Sequence, residues 1–208
     1  LNVCLLFGCA FDARLCHGLG ADGNDLIGLA SHFAHVIPNA KFLSPNAPFP
    51  CDMSPFGHQW FSLQERTEEA MLAGAKMAHP ILDAFINQQL ETHNLTEDKL
   101  ALIGFSQGTM MSLFTAPRRE QAVAGVVGYS GRLIGTDLTA KEIRCRPPMV
   151  MINGDKDELV PAQSQAIAVE TLSAVGIEIE GHIRPGLGHS IDEEGIRIAQ
   201  EFLQRSFD

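Results

Sequence analysis

Short apolar runs alternate along this chain with longer stretches in which apolar side chains recur every three or four positions. The runs Val3–Phe7, Ala40–Ser44, Lys99–Gly104, Ala122–Tyr129, Met149–Asn153 and Ile177–Ile183 have the length and β-branched content of buried strands. Helical spacing predicts helices over Asp25–Val36, Thr67–His93, Gln107–Ala116, Pro161–Val175 and Asp192–Gln204. The second of these carries Met71, Ala78, Leu82, Phe85, Ile86 and Leu90 on one face, and Pro80 is expected to kink it. Strands that alternate with helices predict parallel βαβ units, hence a mostly parallel central sheet with helices on both faces. Ligands of such folds sit beyond the carboxyl ends of the strands, so functional residues are expected where strand runs stop. One strand is weak: Asp12-Ala13-Arg14-Leu15-Cys16 carries two charges, which implies either a strand shorter than usual or an altered N-terminal sequence.

Composition narrows the picture. With 208 residues, a single domain over 1–208 is expected. Lys plus Arg number 15 against 25 Asp plus Glu, a net charge of −10, which argues against nucleic acid or an anionic membrane as partner but not against a small neutral substrate. No apolar run reaches the roughly 18 residues of a membrane-spanning helix, so no stable membrane insertion is expected. Cysteines at 4, 9, 16, 51 and 145 form no CxxC pair and read as free thiols in a reducing, cytoplasmic setting. The apolar segment Leu1–Phe11 lacks the basic start of a signal peptide; an edge strand or a truncated leader is the favoured reading and export the alternative.

The candidate chemistry begins at Gly104-Phe105-Ser106-Gln107-Gly108, a GxSxG pattern at the end of a strand run and the start of an apolar helix. A serine on a tight strand-to-helix turn needs small flanking residues, and the helix N-terminus directs free N–H groups toward it. Serine is a weak nucleophile without a base, and the base needs a group that holds its tautomer. In α/β-hydrolases the order is Ser, acid, His. Of the two downstream histidines, His182 lies inside a strand run, whereas His189 follows one in a Gly-rich loop and is the expected base. Asp157, beyond the run that ends at Gly154, is the expected acid. Asp155 is the alternative, although its carboxylate suits capping its own turn. Read alone, Asp155, Asp157 and Glu158 resemble a cation site, but further oxygen ligands are not evident and no metal is expected.

Two backbone donors must face the developing oxyanion. Gln107 follows the nucleophile, and Leu19 lies in the Gly-rich loop His17–Leu26, so these two are the candidates; His17 reads as a loop-packing residue. The irregular stretch Pro45–Phe61 is Pro-rich and aromatic. Trp60 and Phe61, with Leu159 and Val160, are the candidate walls of an acyl pocket, and Phe49 and Phe56 serve either that pocket or the core. Asn94-Leu95-Thr96 matches a glycosylation sequon and is read as coincidence.

Taken together, His17-Gly-Leu-Gly-Ala-Asp-Gly-Asn-Asp-Leu26, Ser44-Pro-Asn-Ala-Pro48, Gln59-Trp-Phe61, Gly104–Met111, Gly154-Asp-Lys-Asp157 and Gly188-His-Ser190 resemble the phospholipase/carboxylesterase family of α/β-hydrolases. The resemblance runs from His17 to the C-terminus. It implies an α/β-hydrolase fold, a Ser106–Asp157–His189 triad, oxyanion donors at Leu19 and Gln107, no cofactor or metal, and a possible homodimer. The expected activity is serine carboxylesterase action on short- to medium-chain esters. Alternatives are a lysophospholipase or acyl-protein thioesterase and, more remotely, a non-catalytic binding module. The chain departs from the family pattern at Asn153, Glu158 and Ser62, where His, Pro and Asp are common. A dienelactone-type hydrolase would be expected to carry Cys at position 106.

Overall fold

The computed structural model describes residues 3–6 and 10–207. In chain order its elements are β1 (Val3–Leu6), β2 (Phe11–Cys16), α1 (Gly23–Leu26), α2 (Ala30–Phe33), β3 (Ala40–Ser44), β4 (Phe49–Pro50), β5 (His58–Gln59), α3 (Glu68–His93), β6 (Leu100–Phe105), α4 (Gln107–Thr115), β7 (Gly125–Tyr129), α5 (Thr136–Glu142), β8 (Met149–Gly154), α6 (Gln163–Ala174), β9 (Ile179–Arg184) and α7 (Glu193–Phe207). Seven strands form one sheet in the order β1-β3-β2-β6-β7-β8-β9, and β4 pairs with β5 in a separate hairpin. Every pairing in the large sheet is parallel except β1 with β3. The N-terminal run thus supplies an antiparallel edge strand; Phe7, Cys9 and the Cys4 side chain lie outside the described residues.

Strand side chains alternate between two cores, as period-two geometry requires. Leu100, Leu102, Val126, Met149 and Met151 pack under α3, α4 and α6. Ala101, Ile103, Val127, Val150 and Ile152 pack with Phe33 of α2 and with Ile198 and Phe202 of α7. Helices therefore cover both faces, which explains why the strands read as unbroken apolar runs.

The segment before His17 corrects the sequence reading. It is a full six-residue strand between β3 and β6, not a shorter one. Ala13 and Leu15 enter the α7-side core. Asp12 and Arg14 point to the opposite face and pair with each other, both side chains fully buried. Arg14 also lies 5.6 Å from the centre of the Phe85 ring of α3. Two charges side by side on one face neutralise each other, which single-residue hydropathy misses.

The helix over 67–93 is continuous through Pro80. Thr67 caps its start, accepting a hydrogen bond from Ala70 N, and Asn94 ends it in the left-handed conformation at φ 51°. The predicted helix Asp25–Val36 is broken into two four-residue helices joined by a 3-10 turn. Pro45–Phe61 is less irregular than expected, because it contains the β4–β5 hairpin. No helix among the described residues is long and apolar enough to cross a membrane. Cys16, Cys51 and Cys145 are free thiols.

Candidate active site

β6 delivers Ser106 to the top of the sheet and α4 begins at the next residue. Ser106 has φ 53° and ψ −114°, a conformation that non-glycine residues seldom adopt. Hydrogen bonds hold it there: its N–H donates to Tyr129 O at 2.9 Å, and its carbonyl accepts from Met110 N at 3.1 Å. The flanking glycines answer to close backbone approach. A Cβ on Gly104 would lie 2.4 Å from Thr109 N, and one on Gly108 would lie 1.8 Å from Cys16 O. The GxSxG pattern is therefore the imprint of α4 crossing β2 and β6 with no room for a methyl group.

The candidate acid and base follow neighbouring strands. Asp157 follows β8, and its side chain is fully buried. One carboxylate oxygen accepts from Leu159 N at 2.9 Å and Val160 N at 2.8 Å; the other meets His189 Nδ1 at 2.8 Å. His189 follows β9 and packs its ring against that of Phe105, with centroids 4.9 Å apart. Ser106 and His189 both line one cleft of ≈ 340 Å³. Asp155 does not reach the cleft. Its carboxylate accepts from Gly186 N at 2.7 Å, so it fastens the His189 loop rather than capping its own turn. Lys156 N donates to Leu187 O at 2.9 Å, and a Cβ on Gly154 would lie 2.0 Å from the same oxygen. The acid turn and the histidine loop are thus locked backbone to backbone. His182 lies on the half-exposed β9 edge beside Glu180 and does not line this cleft.

Leu19 and Ser106 line the same cleft, and Gln107 opens α4, where a backbone N–H has no intrahelical acceptor. The loop that carries Leu19 is tied on several sides. Gly20 N donates to His58 O and His58 N to Ala21 O, which joins the loop to the β4–β5 hairpin. His17 is fully buried; its Nε2 accepts from Ala47 N at 2.9 Å, so its Nδ1 carries the proton and donates to Gly18 O at 2.7 Å. Burial holds the His17 pKa below the ordinary value of 6.5. Below about pH 6.5 the unfolded chain binds a proton that the native chain resists, so stability falls as pH drops through this window, by at most about 1.4 kcal/mol per pH unit for each such histidine. His79 is shifted in the same direction by burial and adds to the slope. His17→Gln is expected to remove about one proton's share of it in urea unfolding curves taken between about pH 5 and 7; an unaltered slope would contradict this assignment.

Two candidate pocket residues are placed elsewhere. Trp60 and Phe61 do not enter the cleft, being 2% and 0% exposed. Trp60 Nε1 donates to His17 O at 3.0 Å, and its ring borders a groove formed with Pro45, Leu82 and Phe85. Phe61 fills the space over Gly74, where a Cβ would lie 2.5 Å from it. Both are held through their backbones by the buried Gln107 side chain, which accepts from Trp60 N at 2.9 Å and donates to Phe61 O at 2.7 Å. Leu159 and Val160 do line the cleft, together with Leu63, Met71 and Met110. Phe56 is 80% exposed on the hairpin connection. Sequence reasoning missed the Gln107 clamp, which has no local signature, and the cleft residues Arg66 and Arg132. Asn153 donates to Gly131 O at 3.1 Å and supports the β7 end rather than the cleft. Among the described residues no group of His, Cys, Asp or Glu is arranged to hold a metal ion.

The phospholipase/carboxylesterase profile matches residues 14–207. Esterase YpfH of Escherichia coli K12 is 27% identical, with 91% of this chain and 80% of that protein aligned. Acyl-protein thioesterase 1 homolog 1 of Dictyostelium discoideum is 28% identical over 91% of this chain and 88% of its own. The crystal structure of esterase PE8 superposes with a TM-score of 0.94 at 35% identity, covering 98% of this chain and 97% of that one. Esterase and thioesterase relatives support hydrolysis of esters or thioesters as the general chemistry. The match over residues 14–207 and the 35% identity to esterase PE8 show that the chain belongs to the phospholipase/carboxylesterase family of α/β-hydrolases.

Proposed function

We propose that the protein is a serine carboxylesterase acting through an acyl-serine intermediate on short- to medium-chain esters. The observation that carries this reading is the 2.8 Å contact between Asp157 and His189 Nδ1 beside a cleft that also holds Ser106. With Nδ1–H donated to the carboxylate, Nε2 is the free acceptor of the imidazole. His189 takes the Ser106 proton as Oγ attacks the carbonyl carbon. Asp157 stabilises the resulting imidazolium, and the Leu19 and Gln107 N–H groups hold the oxyanion. The imidazolium then protonates the departing alcohol or thiol. Water, deprotonated by the same histidine, attacks the acyl-enzyme and releases the acid.

The cleft volume of ≈ 340 Å³ lies at the low end of ligand pockets, which supports a short acyl group. The thioesterase relatives favour a second reading, in which the apolar wall of Leu63, Met71, Met110 and Val160 receives a longer chain. A fluorophosphonate is expected to modify one serine per chain, on the tryptic peptide containing Ser106, and to abolish turnover. Labelling elsewhere would refute the assignment. p-Nitrophenyl esters from acetate to palmitate separate the two readings: a peak at acetate to hexanoate supports the first, and a peak at laurate or beyond the second.

A further inference from the structure

Besides His189, the charged side chains lining the cleft are Arg66, Arg132 and Asp25. Both arginines line the cleft that holds Ser106, and Arg132 is paired with Glu68. Arg132 stands on a stiff platform. Ser130 N donates to Ile152 O at 2.9 Å, Asn153 Nδ2 donates to Gly131 O, and a Cβ on Gly131 would lie 2.3 Å from the Thr109 side chain. Glu68 takes Nη2 of Arg132, while Nε is buried with no hydrogen-bond partner among the described residues. The Arg132 side chain is 34% exposed, so it remains open to a ligand from the solvent side. Arg66, at the opening before α3, donates to Leu63 O at 3.4 Å and makes no ion pair among the described residues. Arginine at a fixed position suits a planar carboxylate or a phosphate, through paired N–H donors.

We infer that the cleft selects esters or thioesters carrying an additional anionic group, a carboxylate being the simplest, held by Arg132 and Arg66. This rests on the proposed esterase reading and names its substrate class. The anion belongs either to the acyl chain or to the leaving group, and paired substrates separate the two. Mono-p-nitrophenyl adipate is compared with its methyl ester for the acyl side, and 4-carboxyphenyl butyrate with 4-carbamoylphenyl butyrate for the leaving side. In one pair kcat/KM is expected to favour the anion by about tenfold to 100-fold, mostly through KM. In Arg132→Gln that ratio is expected to fall toward one, and Arg66→Gln to lower it severalfold, with Arg132→Lys keeping part of it. Melting temperatures verify that each variant is folded. Equal rates within both pairs, or a preference that survives Arg66→Gln/Arg132→Gln, would overturn the inference. Should the wild type hydrolyse no ester at all, the esterase reading fails by itself. Calorimetric binding of adipate, weakened about tenfold or more in the double variant, still supports the anion site, and equal binding removes it.

Discussion

Ser106→Ala is expected to lower kcat for p-nitrophenyl butyrate by about 10⁶-fold while the protein stays folded. The hydroxyl is the atom that forms the proposed acyl bond, and nothing else in the cleft replaces it. Stability should not suffer, because the φ of 53° is unfavourable for serine and alanine alike and the holding contacts run through the Ser106 backbone. Asp157→Asn tests the same machinery from behind. Its Oδ1 receives two backbone N–H groups and Oδ2 the imidazole, so an amide must either lose a backbone bond or turn its NH₂ toward His189. An NH₂ there forces the imidazole into the tautomer with its proton on Nε2, which cannot accept from serine. The expected loss is about 10⁴-fold. Comparable esterase activity in Ser106→Ala and wild type, with both folded, would move the reaction away from this serine.

The second large effect is on stability. Asp12→Ala is expected to destabilise the protein by about 3–5 kcal/mol, because it leaves Arg14 buried in the middle of the sheet without the carboxylate it pairs with. For a chain of this size that is a fall of roughly 6–20 °C in melting temperature. Burial, more than the opposing pull of Arg14 and Lys41, pushes the Asp12 carboxyl up to about 6. A carboxyl that binds its proton more tightly in the native state contributes stability at low pH and loses it as pH rises from about 4 to 6. The pair at neutral pH is therefore costly to bury, and an apolar replacement of both partners should be tolerated. Asp12→Leu/Arg14→Met is accordingly expected to recover most of what Asp12→Ala loses. A double variant as unstable as the single one would show that the pair is needed for more than mutual neutralisation.

That same pair marks where sequence reading reached its limit. Strands such as β6 and β8 are legible because both of their faces are buried and every residue from Leu100 to Ile103 is apolar. β2 is equally buried, but its charges cancel across two positions, a relation that becomes visible only once the face they share is known. Ser106, Asp157 and His189 could be singled out as candidates because each lies shortly after the end of a strand run, where ligands of such sheets gather. Trp60 and Phe61 were misplaced for a different reason. Their aromatic character says that they are buried but not against what, and the deciding contact is the Gln107 amide, which lies far away in sequence. The short α5 was not anticipated, since Thr136–Glu142 carries no apolar periodicity of helical length. Arg66 and Arg132 were passed over because a lone arginine in sequence carries no sign of facing a cleft.

The order of the site along the chain bears on how the protein is made. The serine strand is the fourth of seven in the large sheet, and the histidine comes only after the last of them, β9. During synthesis from the N-terminus the nucleophile turn emerges long before its base, and the loop that presents His189 needs β8 and β9 already side by side, since Asp155, Lys156 and Gly154 hold it by backbone contact. On the proposed reading, a chain grown only as far as β8 is chemically silent. On the same reading the base joins the serine only once β9 is in place, so a chain that stops short of it carries an unarmed serine.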